Sequence, residues 1–117
     1  MFDPSTPSGW PDAAYDQAAR KALARIEQCV DAWLDADVID IDAARTGGML
    51  TMVLPNKSQL IVNMQPPLHE LWLAARQGGF HFRYAGGDQW RDTRSGEPFF
   101  EVLSRCLSEQ AGVALKF

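Results

Sequence analysis

The segment NMQPPLHELWLA, residues 63–74, decides the fold of this 117-residue chain. It begins inside a predicted strand at residues 59–65, which ends at Pro66-Pro67 because proline has no backbone N–H to donate to a sheet. A further strand is predicted at residues 69–75, where leucines alternate with polar and aromatic residues. Because the link between the two strands is short, we expect them to pair in antiparallel orientation.

Short alternating runs on both sides of this segment extend the sheet. Each run is bounded by a turn that contains glycine or proline, which is typical of hairpin connections. The additional predicted strands are residues 38–42, 49–54 and 80–84 and a short strand around Trp90, and the turns lie at 47–48, 55–58, 77–79 and 86–88. The sequence therefore predicts a mainly antiparallel sheet of about six strands.

Helical periodicity flanks the sheet at both ends. Residues 13–34 place apolar side chains at steps of three and four, which predicts one buried helical stripe. A second helix is predicted to have Pro98 in its first turn and to stop at Gly112. Two helices on one face of a meander give an α+β fold, a two-layer sandwich whose other sheet face stays open.

The chain length fits a single domain. We expect a flexible leader at residues 1–11, the folded domain at 12–112 and an apolar tail at 113–117 that packs back on the body. Trp10 is expected to hold the leader against the domain. No run of about 18 apolar residues occurs, so no membrane-spanning segment is predicted.

The two cysteines carry no metal or redox motif. Cys29 and Cys106 lie in predicted helices and lack the CxxC spacing of zinc sites and redox centres. We expect two reduced, mostly buried thiols, and the cytoplasm as the default compartment.

The acidic excess of the chain is confined to one segment. Residues 27–42 contain six acidic residues and no Lys or Arg, whereas the rest of the chain carries nine acidic and eleven basic residues. Spacing by four places three of the acids on one face of the first helix. Spacing by two places two others on one side of the first strand. We call the predicted carboxylate surface the acidic ridge; its members are Glu27, Asp31, Asp35, Asp37, Asp40 and Asp42.

The acidic ridge destabilises the helix that carries it, and this loss of stability suggests that the ridge has a function. Like charges four residues apart and acids near a helix C-terminus both destabilise a helix. Carboxylate oxygens suit Ca²⁺, Mg²⁺, Mn²⁺ and oxygen-loving iron, so the ridge is a candidate weak metal site. A basic protein surface is the other natural partner, and a solvated face that aids solubility is the plain alternative. Such acidity argues against nucleic acid, which requires a basic surface.

The open face of the sheet carries a candidate anchor. Strand alternation places Trp72 on the uncovered side, among Asn63, Gln65 and Glu70. A tryptophan ringed by polar groups is typical of a protein-binding surface. The alternative is a tryptophan that lies flat on its neighbours and has no partner.

Catalytic motifs are missing from the sequence. There is no phosphate-binding glycine loop, no GxSxG and no HExxH. His69 and His81 are interpreted as residues of the sheet surface rather than as ligands. The sequence therefore does not indicate an enzyme.

Several motifs together resemble the bacterial branch of the frataxin family. They are residues 63–74, Gly78-Gly79-Phe80-His81-Phe82, Asp92-Thr93-Arg94-Ser95-Gly96-Glu97, Asp40-Ile41-Asp42 and Gly47-Gly48, spread over residues 15–112. The resemblance implies weak binding of Fe²⁺ or Fe³⁺ at the acidic ridge and contact with a cysteine desulfurase and an iron–sulfur scaffold protein. It implies a partner surface at Trp72, with Asn63 and Gln65 beside it. From the sequence itself we expect no nucleic acid or membrane partner and a monomer by default, with iron-dependent oligomers left open because surface carboxylates can bridge molecules through a metal.

Three hypotheses remain open at this point. In the first, the acidic ridge binds iron and delivers it. In the second, the ridge docks on a basic patch of the desulfurase and iron only tunes that contact. In the third, haem or another metal binds through His69, His81 or a cysteine.

Overall fold

The computed structural model describes residues 9–117. Residues 1–8 of the predicted leader lie outside the described residues. The described elements are α1 (Asp12–Asp35), β1 (Asp42–Thr46), β2 (Met49–Val53), β3 (Gln59–Gln65), a 3₁₀ turn (Pro66–Leu68), β4 (Glu70–Ala75), β5 (Gly78–Tyr84), β6 (Trp90–Asp92) and α2 (Phe99–Ala111). The predicted order of helix, about six strands and helix is confirmed, as is the α+β fold class.

The six strands form one sheet in chain order, and every neighbouring pair is antiparallel. Each strand therefore meets the strand that follows it in the sequence, as short hairpin links require. Buried and less buried side chains alternate along β3, so one face of the sheet is covered and the other is open.

The structure corrects the predicted position of the first strand. Residues 38–41 are not in a strand, and β1 begins at Asp42. A two-residue turn at Gly47-Gly48 fixes the pairing of β1 with β2. Gly47 has a φ of +59° in this turn. Counting pairs from that turn, back along β1 and forward along β2, the last pair is Asp42 with Val53, where β2 ends.

The prediction for His69 as the first residue of a strand at the sheet surface is also wrong. His69 follows the 3₁₀ turn, has a φ of +52° and is fully buried, and β4 begins only at Glu70. Two consecutive prolines favour a tight turn, and His69 adopts the left-handed conformation that redirects the chain into β4.

The core lies between the sheet and the two helices. Apolar residues of α1 and α2 pack against the covered face of the sheet, with Leu23, Ile26, Leu50, Leu60 and Leu103 fully buried. This arrangement is the predicted two-layer sandwich. Within residues 9–117, neither helix combines the length and apolarity needed to cross a membrane.

Tyr15 ties α1 to the connection between β3 and β4. Its hydroxyl donates a 2.8 Å hydrogen bond to the backbone oxygen of Glu70 and accepts a 3.0 Å bond from the backbone N–H of Gln65. The side chain is buried, and burial raises the pKa of Tyr15 to about 12. The segment that decides the sheet topology is thus also the point where the N-terminal helix is held.

Both ends of the described chain pack on the domain. Phe117 contacts Trp33 with ring centroids 5.0 Å apart, and the backbone N–H of Leu115 donates to Ser108 Oγ at 2.9 Å. Near the other end, the ring of Trp10 lies 5.8 Å from that of Tyr84. The expected contacts of the tail and of Trp10 with the body are therefore present.

Candidate functional site

The helical part of the acidic ridge lies at the C-terminal half of α1. Asp31 and Asp35 are exposed, and Glu27 is half-buried. The carboxylate of Glu27 forms an ion pair with the guanidinium of Arg45 on β1. One member of the ridge is therefore already neutralised by a neighbouring strand, which the helical spacing does not reveal.

Asp37 occupies the turn that ends α1. The backbone N–H of Asp37 donates to Leu34 at 3.1 Å and that of Val38 donates to Trp33 at 2.8 Å, which is the hydrogen-bond pattern of a Schellman motif. Asp37 has a φ of +58°, the left-handed position that such a motif usually gives to glycine. An exposed carboxylate is thus held in a strained backbone conformation between the helix and the sheet.

Of the two ridge residues predicted in the first strand, Asp42 lies in β1 and Asp40 lies in the link before it. Directly opposed residues share a face, so Asp42 lies on the open face with Val53. Arg45 is opposed to the fully buried Leu50 and lies on the covered face, where it meets Glu27. The register thus places Asp42 and the Glu27–Arg45 ion pair on opposite faces of β1.

The remaining ridge carboxylates are available to ligands. Among residues 9–117, Asp31, Asp35, Asp37, Asp40 and Asp42 have no ion-pair partner. In the same part of the chain, no three His, Cys, Asp or Glu side chains are grouped closely enough to hold one metal ion. An ion bound here would keep much of its water and take one or two carboxylates, an arrangement that gives weak binding.

Trp72 lies at the centre of the open face. In the strand pairing it stands between Asn63 on β3 and His81 on β5. The rings of Trp72 and His81 are stacked, with centroids 4.2 Å apart and an interplanar angle of 6°. The predicted position of Trp72 on the uncovered side is therefore observed, and its indole lies against a neighbour.

Glu70 is the least accessible residue of the predicted partner-binding set. Its side chain is only 7% exposed, although it lies on the open face. Oε1 accepts a 2.8 Å hydrogen bond from the indole N–H of Trp72, and Oε2 lies 3.6 Å from Nη2 of Arg83. Nδ1 of His81 is 3.9 Å from Oε1. Glu70 therefore holds the indole of Trp72 in position. Asn63 and Gln65 are half-buried and remain accessible to a partner.

His69 and the two cysteines are buried, either completely or in part. The ring of His69 stacks on that of Tyr15 at 4.9 Å, and its Nε2 is 2.7 Å from Oδ1 of Asp12. Cys106 is buried and Cys29 half-buried, both are free thiols, and burial raises the pKa of Cys106. The predicted burial of the thiols is complete for Cys106 and partial for Cys29. Of the groups named for haem or another metal, only His81 lies exposed on the open face.

Sequence reasoning missed Arg45 and Arg83 as members of these sites. The two-residue turn at Gly47-Gly48 was the signal for Arg45, because it fixes which residues of β1 face the helices. For Arg83, the pairing with Glu70 depends on the register between β4 and β5, which no local pattern gives.

Comparison with known proteins gives consistent results. A family model described as a frataxin-like domain matches residues 8–113. The iron–sulfur cluster assembly protein CyaY of Variovorax paradoxus (strain S110) is 55% identical over 106 residues, which are 91% of this chain and 96% of that protein.

Solved structures share the fold. The frataxin from Psychromonas ingrahamii matches with a TM-score of 0.78 and 31% identity, over 92% of this chain and 97% of the other. A trimeric frataxin from the yeast Saccharomyces cerevisiae, complexed with ferrous iron, matches with a TM-score of 0.67 and 22% identity, over 81% of this chain and 86% of the other.

Proposed function

The chain belongs to the frataxin family, and from this membership we propose that it is an iron-binding protein of iron–sulfur cluster assembly. It acts as an iron donor, as a regulator of the assembly complex, or as both. It carries out no catalysis of its own and works in the cytoplasm.

The iron-binding proposal rests on the ridge carboxylates that have no ion-pair partner among the described residues. Asp31 and Asp35 lie one helical turn apart and are exposed, as are Asp37, Asp40 and Asp42. Hard oxygen ligands without His or Cys suit iron that is held weakly and passed on. Iron that bridges carboxylates of two molecules would produce oligomers of an otherwise monomeric protein.

The same surface supports a second candidate function. A basic patch on the cysteine desulfurase would be attracted by the ridge whether or not iron is present. The absence of any three-residue ligand group within residues 9–117 favours this alternative, because docking requires charge but no coordination geometry. The scaffold protein is the further proposed partner, with Trp72, Asn63 and Gln65 as its contact surface.

The first experiment is an anaerobic Fe²⁺ titration followed by backbone amide NMR. Paramagnetic Fe²⁺ bound at the ridge should broaden signals of residues 27–42 selectively. The double variant Asp31→Asn/Asp35→Asn should reduce this broadening. The matched control, Glu101→Gln/Glu109→Gln, removes two exposed carboxylates from α2 and should leave the broadening unchanged.

The same variants distinguish the candidate functions. If the iron-donor function is correct, Asp31→Asn/Asp35→Asn loses iron binding and still binds the desulfurase. If docking is the function, the double variant loses desulfurase binding in the absence of metal. Broadening centred on His81 instead of the ridge would contradict the iron-donor function of the ridge and favour the histidine-based alternative with haem or another metal, whereas docking by the ridge is tested by desulfurase binding alone.

A further inference from the structure

A cavity lies on the helical side of the molecule, where α1 meets β6, the turn before β6 and the start of α2. Its volume is about 240 Å³, and its lining includes Ala22 on α1, Trp90 on β6 and Phe100 on α2. It shares no residue with the acidic ridge, and Trp72 does not line it. The cavity is therefore separate from both surfaces described above.

The cavity has an apolar bottom and a charged rim. Ala18, Ala22 and Trp90 are buried, whereas Lys21 and Arg25 are exposed. A space lined by apolar groups, with a few polar ones that fix orientation, is the usual form of a small-molecule site. Because an apolar cavity of about 150 Å³ can hold a benzene ring, this cavity has room for an aromatic ring with a short side chain.

The two aromatic walls are held in place by other rings. The ring centroid of Trp90 lies 5.0 Å from that of Tyr84 and 5.7 Å from that of Tyr15. Phe100 packs edge-on against Phe99 at 4.9 Å. Walls that are ordered before a ligand arrives reduce the entropy lost on binding, and aromatic walls favour an aromatic ligand.

The charges at the rim favour an anion. Lys21 and Arg25 lie one turn apart on α1, a spacing at which like charges destabilise a helix. The guanidinium carbon of Arg25 lies 4.0 Å from the centroid of the Phe100 ring, and Arg25 forms no ion pair in the described part of the chain.

A single acid compensates the two bases. Nζ of Lys21 lies 3.0 Å from Oδ2 of Asp88, but both side chains are more than half exposed, so the pair is weak and can exchange partners. The lining thus contains two basic groups and one acidic group, which leaves one positive charge in excess. One excess charge suits a monoanion.

We propose that the cavity binds a small aromatic monocarboxylate, with its ring beside Trp90 and Phe100 and its carboxylate at Arg25 and Lys21. A polyanion is disfavoured, because the apolar bottom offers no partner for further charges. The proposal goes beyond iron–sulfur cluster assembly and requires neither metal nor a protein partner. A ligand that contacts α1, β6 and α2 together also stabilises the folded chain.

The experiment titrates 3-phenylpropionate into the full chain and follows backbone amide and indole N–H signals by NMR. Two related compounds separate the parts of the ligand: 3-phenylpropionamide lacks the charge, and propionate lacks the ring. Thermal unfolding with and without 3-phenylpropionate provides a second measurement of binding.

Three variants locate the site. Arg25→Gln removes the charge that has no ion-pair partner among the described residues. The matched control, Arg76→Gln, makes the same change at another exposed arginine, in the turn between β4 and β5, that also lacks an ion pair in residues 9–117. Ala22→Leu fills the bottom of the cavity, and thermal unfolding without ligand shows whether this variant folds.

The indole signal of Trp90 should shift saturably with 3-phenylpropionate, and the melting temperature should rise. Arg25→Gln should weaken binding by about tenfold, as expected when a charged hydrogen-bond partner is lost, and Arg76→Gln should bind as the unaltered chain does. The amide and propionate should both bind more weakly than 3-phenylpropionate.

Three results would overturn the proposal. Equal binding of the amide, or equal weakening in Arg25→Gln and Arg76→Gln, would show that no carboxylate is recognised at Arg25. A folded Ala22→Leu that still binds would place the ligand elsewhere. Absence of saturable shifts would show that the cavity is not a site for this class of ligand. None of these results affects the proposed iron binding, because no iron is present in the titration.

Discussion

The indole N–H of Trp72 donates a 2.8 Å hydrogen bond to Oε1 of Glu70, two residues away on the same face of β4. Because the carboxylate is almost completely buried, it cannot contact a partner well, but it fixes the orientation of the ring that can. His81 stacks on the indole from β5 and limits its motion further. An anchor that is already ordered loses less conformational entropy when a partner binds.

Replacing Glu70 should therefore loosen Trp72. Glu70→Ala leaves the indole N–H without its acceptor and is expected to lower the free energy of unfolding by about 1–3 kcal/mol. Glu70→Gln keeps an oxygen acceptor and should lose less. Urea unfolding measures the stability, and the indole ¹H–¹⁵N resonance of Trp72, assigned with Trp72→Phe, reports the hydrogen bond.

The exposed Glu101 on α2 provides the control for this prediction. Glu101→Ala should change stability by less than about 0.5 kcal/mol, as is usual for surface substitutions. An indole resonance that does not move in Glu70→Ala would show that the hydrogen bond does not set the position of the ring.

Removing the charge of Arg91 should make the domain more stable. Arg91→Gln relieves the repulsion with Arg83, which is directly opposite in the pairing of β5 with β6, and is expected to raise the free energy of unfolding by about 0.2–1 kcal/mol at low salt. The gain should shrink in 1 M salt, where the Debye length is about 3 Å. Denaturant unfolding at two salt concentrations measures this gain in stability, with Lys116→Gln as the control. A loss of stability in Arg91→Gln at low salt would show that Arg83 and Arg91 do not repel each other.

Glycine at the end of α1 should also stabilise the fold. Asp37 has a φ of +58°, and Asp37→Gly is expected to raise the free energy of unfolding by about 1 kcal/mol, because glycine has no Cβ to clash in that conformation. Lys57 has a φ of +71° in the loop between β2 and β3, so Lys57→Gly is the matched control and should stabilise similarly.

The two glycine variants should differ in iron binding. Only Asp37→Gly removes a ridge carboxylate, so only this variant should reduce the affinity for Fe²⁺ in the anaerobic titration. Equal affinities in both variants would show that Asp37 contributes no ligand.

Tyr15 should make the fold sensitive to alkali. Burial raises its pKa from 10.0 to about 12, so the neutral phenol is favoured in the folded state. The stabilising contribution is complete below pH 10 and is lost as the pH rises through about 12. Burial also raises the pKa of Tyr84, which acts in the same direction.

Urea unfolding between pH 9 and 12 should show this dependence. Tyr15→Phe should be less stable at neutral pH, because it loses the hydrogen bonds with Glu70 and Gln65, and its stability should fall less steeply with pH. The same slope in both proteins would show that Tyr15 is not responsible.

The comparison of the first strand with the third shows which parts of the fold are readable from the sequence. β3 has the boundaries that its alternation predicts, because prolines and a hairpin loop bound it on both sides. The alternation in residues 38–42 is as regular, and Ile41 is indeed buried, but the backbone does not pair there. Alternation reports which side chains face the core, and pairing depends additionally on where the partner strand ends.

The sequence by itself determined the order of the elements, the covered and open faces of the sheet and the location of the acidic excess. These follow from periodicity, turn residues and charge, which act over a few residues. Only the tertiary structure decided that Glu27 is neutralised, that His69 and Glu70 are buried, and that Arg83 faces Arg91. Such facts depend on strand register and on contacts between distant residues, for example the hydrogen bond that joins Tyr15 and Glu70 across 55 positions, and no local pattern encodes them.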